Sequence, residues 1–354
     1  MIPGTGLIAS QARRATGRTM PDVIALGVLL VDFVAADAGV SLAEARAFEK
    51  HPGGAPANVA VGLARLGVSS GFIGMVGDDA FGHFLARTLA DEGVDVSALR
   101  FTTEARTALA FVSLRADGER DFTFYRHPAA DALLRPEDVE TSADLIRSAR
   151  IFHFGALSLI AEPSRSATLR AAEIARAAGL FISFDPNLRL NLWPSADAAR
   201  EGILLGWPLA DVVKVSEEEL AFITNEDLTG LNKPRLLVVT RGRDGCRFIT
   251  RDIAGDVPGF AVEAVDTTGA GDAFMAGLLK GLLENPGVLN DEGAARDDRA
   301  HAGDDHARVL NAICRYANAC GALNVTKRGA ISGMAREAEV EELMLAADDI
   351  GFIG

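Results

Sequence analysis

Residues 266–277 read DTTGAGDAFMAG, and the three small residues Gly269, Ala270 and Gly271 stand directly before a carboxylate, Asp272, where an apolar helical pattern begins. Glycines at a loop-to-helix junction let backbone N–H groups converge on one point, and the helix dipole adds positive potential there. Such a seat holds an anion, while a carboxylate beside it repels one. The two make joint sense in a single reaction: the seat holds a phosphoryl group and Asp272 takes the proton of an attacking hydroxyl. Taken alone, these residues also read as an ordinary helix start with an acid in the first turn, where acids are favoured. The G-x-x-x-x-G-K-[ST] phosphate loop is absent. No G-x-G-x-x-G follows the first strand-like run either, which argues against dinucleotide redox chemistry.

The elements around this junction predict a layered α/β fold. DVIALGVLLVDF, from Asp22, is apolar almost without interruption, as a buried strand is. PANVAVGLARLG follows as a helix, with Pro56 near its start and Gly67 past its end. GFIGMVG, RIFHFGAL, LFISFDP, DVVKVS and RLLVVTRG read as further strands, with helical patterns such as FGHFLARTLADEG and SRSATLRAAEIARAAG between strands. Alternating strand and helix predicts a mostly parallel central sheet covered by helices on both faces, with ligands beyond the carboxyl ends of the strands.

Two segments break this rhythm. TALAFVSLRADGERDFTFYR carries two β-rich runs around Ala116-Asp117-Gly118-Glu119, a hairpin signal. With residues 34–52 it predicts a small β-sheet lid spanning 34–52 and 101–128; a hairpin extending the main sheet is the alternative. Residues 284–309 are dense in charge and lack periodicity, which predicts a flexible acidic insertion within the α/β core formed by 21–33, 53–100 and 129–350. Its acidic spacing matches no EF-hand.

Composition limits the partners. The 354 residues, 49% of them hydrophobic, suffice for a large core. The net charge of −14 disfavours nucleic acid and anionic membranes. No run approaches the length of a membrane span, and residues 1–20, basic and without a secretory apolar core, read as a disordered tail. The three cysteines, Cys246, Cys314 and Cys320, lack CxxC spacing, and the six histidines are scattered; the expectation is a reduced, cytoplasmic protein with no thiolate or histidine metal site.

Two motifs then point to a family. DTTGAGDAFMAG resembles the C-terminal signature of the ribokinase-like, or PfkB, carbohydrate kinases, and GGAPANVAVGLARLG at 53–67 resembles their N-terminal signature. The two stand in the expected order, and the resemblance runs from about Asp22 to Met334. GGAPAN, ARTALAFVSLRADGERDFTFYRHPAAD, FDPNLRLNLW, KVSEEEL and ANACGALNVTKRGAI look specifically like fructokinases. Ala55 stands where a ribokinase proper carries lysine. The tail and the 284–309 segment depart from the family's usual length without touching a motif.

The resemblance implies an ATP- and magnesium-dependent sugar kinase of ribokinase-like fold. Fructose is the leading substrate; 2-keto-3-deoxygluconate or another sugar, or a silent scaffold role, are the alternatives. It implies Asp272 as base, Gly269, Ala270 and Gly271 as anion hole, and Arg189 on the phosphoryl group. Asp32, at the end of the first strand, with Gly53, Gly54 and Asn58, would bind sugar hydroxyls. Asn187, Glu219, Thr240, Gly242, Gly245 and Asn318 would face the nucleotide, with Glu219 associated with magnesium, although three consecutive glutamates also suit a solvated helix face. Asp266 and Thr268, with the backbone of Asn324, Lys327, Gly329 and Gly333, match a monovalent-cation site that would take potassium, mostly on carbonyl oxygens. The apolar hairpin residues Ala108, Ala110, Val112, Phe122 and Phe124 need cover from the core or a second subunit, so a lid-to-lid homodimer is expected.

Overall fold

The computed structural model describes residues 20–37, 39–114, 120–224, 234–289 and 299–351. Residues 1–19, the hairpin tip at 115–119 and residues 290–298 of the acidic segment lie outside the described residues, and the expectations placed on them lie there too.

The apolar run beginning at Asp22 forms two strands, not one. β1 (Val23–Leu26) lies in the main sheet, and β2 (Leu30–Ala35) starts beyond Leu29 in a different sheet. At the break, Gly27 lies against helix α1 (Ala55–Arg65), where an added Cβ would lie 2.6 Å from Pro56 Cγ. Residues 23–26 and 28–31 are all buried, so hydrophobicity runs across the break and hides it. Asp32 therefore sits within β2, and the expectation that it ends the first strand of the main sheet is corrected.

The chain continues through β3 (Phe48–Gly53), α1, β4 (Ser70–Gly77), α2 (Ala80–Asp91) and β5 (Asp95–Thr102). Pro56 occupies the first turn of α1, where its missing N–H costs nothing. β6 (Leu109–Leu114) and β7 (Arg120–Tyr125) form an antiparallel hairpin. Then come α3 (Pro136–Glu140), α4 (Ala143–Ser148), β8 (Ile151–Gly155), α5 (Ser164–Ala177), β9 (Phe181–Asp185) and α6 (Ala196–Gly206). β10 (Val212–Ser216), α7 (Glu217–Thr224), β11 (Leu236–Thr240), β12 (Cys246–Ile249) and β13 (Ala254–Val257) follow. The C-terminal part is helical: α8 (Ala270–Glu284), α9 (Arg299–Val325), α10 (Ala330–Gly333) and α11 (Glu337–Gly351).

The main sheet has the order β13-β12-β11-β10-β9-β8-β1-β4-β5 and is parallel from β11 to β5. Its strands send alternate residues to opposite faces. Val213 and Val215 pack with α5 and α6, whereas Val212 packs with α8 and α9. Helices thus cover both faces. The antiparallel β12–β13 hairpin at one edge was not anticipated.

The second sheet, ordered β3-β2-β6-β7, is separate, so the hairpin does not extend the main sheet. It takes in Leu30–Phe33 as well as part of 34–52, while Phe101 and Thr102 belong to β5, so the small sheet has other bounds than expected. Its inner face is covered by the core: Ala108 and Ala110 are buried with Val28, Leu30 and Ala129, and Phe124 packs on them. Val112 is half-buried, and the Phe122 side chain lies outside those described. The sheet also carries a ring cluster in which Phe111 stacks on Phe33 and meets Phe48 and Tyr125 edge-on.

The acidic segment is shorter than expected. Pro286–Leu289 is a 3₁₀ turn that buries Val288 and Leu289, and from Arg299 the chain is already in α9. Exposed Asp305 and Arg308 pair across one turn, while Leu310, Ile313, Cys314 and Ala317 supply the apolar stripe that packs on α8. The charges mask a helix that tertiary packing stabilises.

Candidate active site

α8 starts at the carboxyl end of the sheet because Gly269 turns the chain in the left-handed region, at φ 82°. An added Cβ there would lie 2.7 Å from that of Ala330, so the position excludes a side chain on both grounds. Of the first-turn amides that follow, the Ala270 N–H donates to Thr267 O at 3.4 Å, while those of Gly271 and Asp272 have no intrahelical acceptor. Gly269 and Gly271 line a cavity of about 190 Å³ together with Asp32, Gly54, Asn58, Arg189 and Asp272.

Asp272 is only 5% exposed, and neutral donors hold it. Asn58 Nδ2, from α1, donates to Oδ2 at 2.8 Å, and Asn187 Nδ2, from the loop after β9, donates to Oδ1 at 3.2 Å. Burial pushes its pKa up to about 7; the Asn58 hydrogen bond opposes this, Asp185 adds to it, and Lys214 and Arg189 oppose it. A carboxylate held near neutrality, with a cavity before it, is a proton acceptor matched to a hydroxyl. Asn58 Oδ1 is buried and has no hydrogen-bond partner among the described residues, so this wall offers an acceptor in want of a donor.

Asp32 faces the same cavity from β2. The floor beneath it must be glycine: a Cβ on Gly53 would lie 2.1 Å from Asp32 Oδ2. Gly54 lies just beyond, at φ 118°. Burial raises the Asp32 pKa to about 7, Arg189 works against this, and Asp272 and Asp266 add to it. Arg189 is exposed, lines the cavity, and donates to its own loop at Leu188 O.

Several expected residues are placed differently. Asn187, expected with the nucleotide, stands on the Asp272 carboxylate at φ 44°, with its own N–H donating to Asp185 Oδ1 at 3.2 Å. Glu219 is not a solvated helix acid. Its Oε2 accepts the Ser216 N–H at 2.9 Å and its N–H donates back to Ser216 Oγ at 3.2 Å, a capping box; Oε1 accepts the Leu188 N–H at 2.6 Å. Both of its oxygens are therefore engaged by backbone donors.

The other residues assigned to the nucleotide do not line this cavity. Thr240 ends β11, with its hydroxyl donating to Val215 O at 3.3 Å. Gly242, at φ 56°, opens the turn to β12, and a Cβ there would meet nothing. A Cβ on Gly245 would lie 2.1 Å from Val257 O, and Asn318 Nδ2 donates to Val257 O and Pro258 O at 3.2 and 3.0 Å. Gly245 and Asn318 thus converge on the same stretch at the end of β13.

The residues expected around a monovalent cation come together beside Asp32. Asp266 Oδ1 accepts the Thr268 N–H and hydroxyl at 2.9 and 2.7 Å, and Oδ2 accepts the Gly329 N–H at 2.9 Å. Asn324 Nδ2 donates to Ala330 O at 2.9 Å, and the Lys327 N–H donates to Asn324 O. Gly333 closes on Asn324, where a Cβ would lie 2.7 Å from the Asn324 carbonyl oxygen. Asn324 Oδ1 is buried without a partner among the described residues, a spare acceptor that fits a cation; the Lys327 ammonium pairs outward with Glu339 at 2.7 Å. Among the described residues no group of three His, Cys, Asp or Glu could hold a metal ion, and the three cysteines are free and buried.

Sequence reasoning missed the Lys214–Asp185 pair. Lys214 lines the cavity and Asp185 lies beside it, both almost fully buried and 2.8 Å apart. The signal was a lysine inside the apolar strand VVKVS, where an unpaired charge is costly.

A family profile, pfkB family carbohydrate kinase, matches residues 20–337. Probable fructokinase-4 of Arabidopsis thaliana is 49% identical over 330 residues, which cover 91% of this chain and 96% of that protein. Among solved structures, the fructokinase of Xylella fastidiosa with bound ATP is 36% identical at a TM-score of 0.77, over 92% of this chain and 98% of that one. The fructokinase of Vibrio cholerae O395 in its fructose, ADP and calcium ion bound form is 34% identical at a TM-score of 0.74, over 92% and 99%.

Proposed function

This chain belongs to the pfkB family of carbohydrate kinases, and from that premise we propose that it is an ATP-dependent fructokinase, converting D-fructose and ATP to fructose 6-phosphate and ADP. The observation that carries the reading is the buried Asp272 carboxylate at the start of α8, held by two amides and facing a cavity whose far wall is Asp32. As the acceptor oxygen bonds to the γ-phosphorus and the bond to the ADP oxygen breaks, Asp272 takes the hydroxyl proton. The first-turn amides of α8 and Arg189 face the charge carried by the moving phosphoryl group. Magnesium supplies charge neutralisation on the ATP phosphates.

Asp32, Asn58 and the Gly53-Gly54 backbone bind the sugar in this reading. Asp32, with Asp266 nearby, makes an acidic wall that suits a neutral sugar over a sugar acid such as 2-keto-3-deoxygluconate. Thr240, Gly242, Gly245 and Asn318 flank the nucleotide. Potassium is taken at the Asp266–Asn324 cluster, on the strength of the unpartnered Asn324 Oδ1. The small sheet closes over the sugar and limits phosphate transfer to water. Its ring cluster, with Tyr125 at 64% exposure, is the surface for a second subunit. Free cysteines fit a cytoplasmic enzyme, and no helix among the described residues is long and apolar enough to cross a membrane.

A sugar panel with ATP and magnesium, read as ADP release, tests the substrate. Fructose is expected to give the highest kcat/KM; a sugar acid in that place would overturn the assignment.

A further inference from the structure

The Lys214 ammonium is a buried cation aimed at the same place as the anion seat. Strand alternation turns Lys214 away from the α5–α6 side, where Val213 and Val215 pack, and toward the start of α8. Its Nζ lies 2.8 Å from the position a Cβ on Gly271 would take. Gly271 is thus small for a second reason, because any side chain there would displace the ammonium from beneath the helix N-terminus. Lys214 is 5% exposed, yet it lines the cavity with Asp272, Arg189 and Gly269.

An ammonium has three N–H donors. Among the described residues one is engaged, by Asp185 Oδ2 at 2.8 Å. The burial that works to lower its pKa is outweighed by Asp185, then by Glu219 and Asp272, which hold it above the usual lysine value. These acids thus favour the charged ammonium. A purely structural ion pair would be expected to close its remaining donors on protein acceptors, because half-satisfied buried charges are costly. Here they face a cavity that already offers a helix N-terminus.

We propose that Lys214 is a catalytic residue whose ammonium binds the non-bridging oxygens of the phosphoryl group while it moves from ADP to the sugar, with Asp185 fixing its position. The inference rests on the kinase reading above. Lys214 gives up no proton in the step: the O–P bond to the sugar forms, the P–O bond to ADP breaks, and the hydroxyl proton goes to Asp272. The pair also reaches the base indirectly, since Asp185 accepts the Asn187 N–H and the Asn187 side chain donates to Asp272.

The test begins with wild-type enzyme, ATP and fructose; if no ADP forms, the substrate reading fails first, and the sugar that does turn over is used for the remainder. Lys214→Met should then lower kcat by about 10²–10³, the loss typical of one missing oxyanion donor, with the sugar KM changed less than about threefold. Methylamine should restore at least a tenth of the lost turnover to Lys214→Ala. Folded Lys214→Met with kcat within threefold of wild type, or Lys214→Ala indifferent to methylamine, would overturn the proposal. Should neither variant fold, ¹⁵N-lysine-labelled wild-type protein still decides it. Its most buried ammonium signal must shift when fluoroaluminate is added to the ADP–magnesium–sugar complex; an unmoved signal removes Lys214 from the phosphoryl site.

Discussion

The two walls of the cavity are built by opposite means. The α8 wall is braced from two distant parts of the chain, α1 and the end of β9: Asn58 and Asn187 hold Asp272, Asp185 holds Lys214, and α8 itself is buried along nearly its whole length. The β2 wall is a four-stranded sheet whose floor is glycine and whose ring cluster leaves Tyr125 to solvent. Preorganised groups belong where charge moves, and an adaptable wall belongs where the sugar enters. If this division is real, the walls respond differently to substitution: the α8 wall in turnover, the β2 wall in sugar affinity.

The largest effect is expected at the base. Asp272→Asn should leave fold and ATP binding intact and cut turnover by about 10²–10⁴ or more. Near-wild-type turnover of the folded variant would dissolve the contrast between the walls. Next in size, Asp32→Ala should raise the KM for fructose about 5–150-fold, the cost of an unpaired hydrogen-bonding partner, with the KM for ATP little changed. Equal rises in both constants would indicate general damage instead. Asn58→Ala sits between the walls. It removes a donor to Asp272 as well as the sugar contact proposed for it, so kcat should fall together with sugar affinity.

Much of the fold is legible without coordinates, because β8 to β11 are short apolar runs between amphipathic helices and each such run has one comfortable place, inside the sheet. What escapes is contact-dependent. The break at Gly27 lies inside an unbroken apolar run, since both strands it separates are buried. α9 starts earlier than its charges suggest, because the face that packs on α8 decides its conformation. In the site, Asp272 stands out through the glycines before it, whereas its partners Asn58 and Asn187 lie 214 and 85 residues away. Glu219 carries a sharper signal than a run of three glutamates: Ser216 and Glu219 have capping-box spacing, and the structure closes that box.

The pH profile sharpens the comparison further. Asp272 and Asp32, one on each wall, both have pKa values raised to about 7, chiefly by burial, and Asp272 adds to the rise at Asp32. Asp272 must be ionised to accept a proton, and Asp32 accepts hydroxyl hydrogens best when ionised. The acid limb of kcat/KM for fructose should therefore fall from about pH 7, with a slope steeper than one proton, as two macroscopic steps of a coupled pair. Asp32→Asn should leave a one-proton limb near pH 7, set by the buried Asp272. A single-proton limb near pH 4 in the wild type would show that neither wall desolvates its carboxylate.

The smallest expected effect is on stability, and it has the opposite sign to the effect on turnover. A carboxyl group whose folded pKa is raised binds its proton more tightly in the native state than in the unfolded chain. The native state thus takes up a proton between about pH 4 and 7, and its stability falls as pH rises through that window. At pH 8 the full penalty for burying ionised Asp272 is present; near pH 4 it is gone. Asn at 272 carries no charge and so escapes the penalty. Its NH₂ group would face one of the two donors now on the carboxylate, but Asn58 can turn its unpartnered Oδ1 toward it and restore the match. Asp272→Asn should accordingly gain about 1–3 kcal/mol over wild type between pH 5 and pH 8. In melting temperature that is a few degrees. Thermal unfolding of both proteins across this range measures the difference. A gain that grows with pH identifies Asp272 as a residue kept for turnover at a cost in stability; a difference that stays flat means its carboxylate is solvated and the α8 wall is not the dry, braced wall described here.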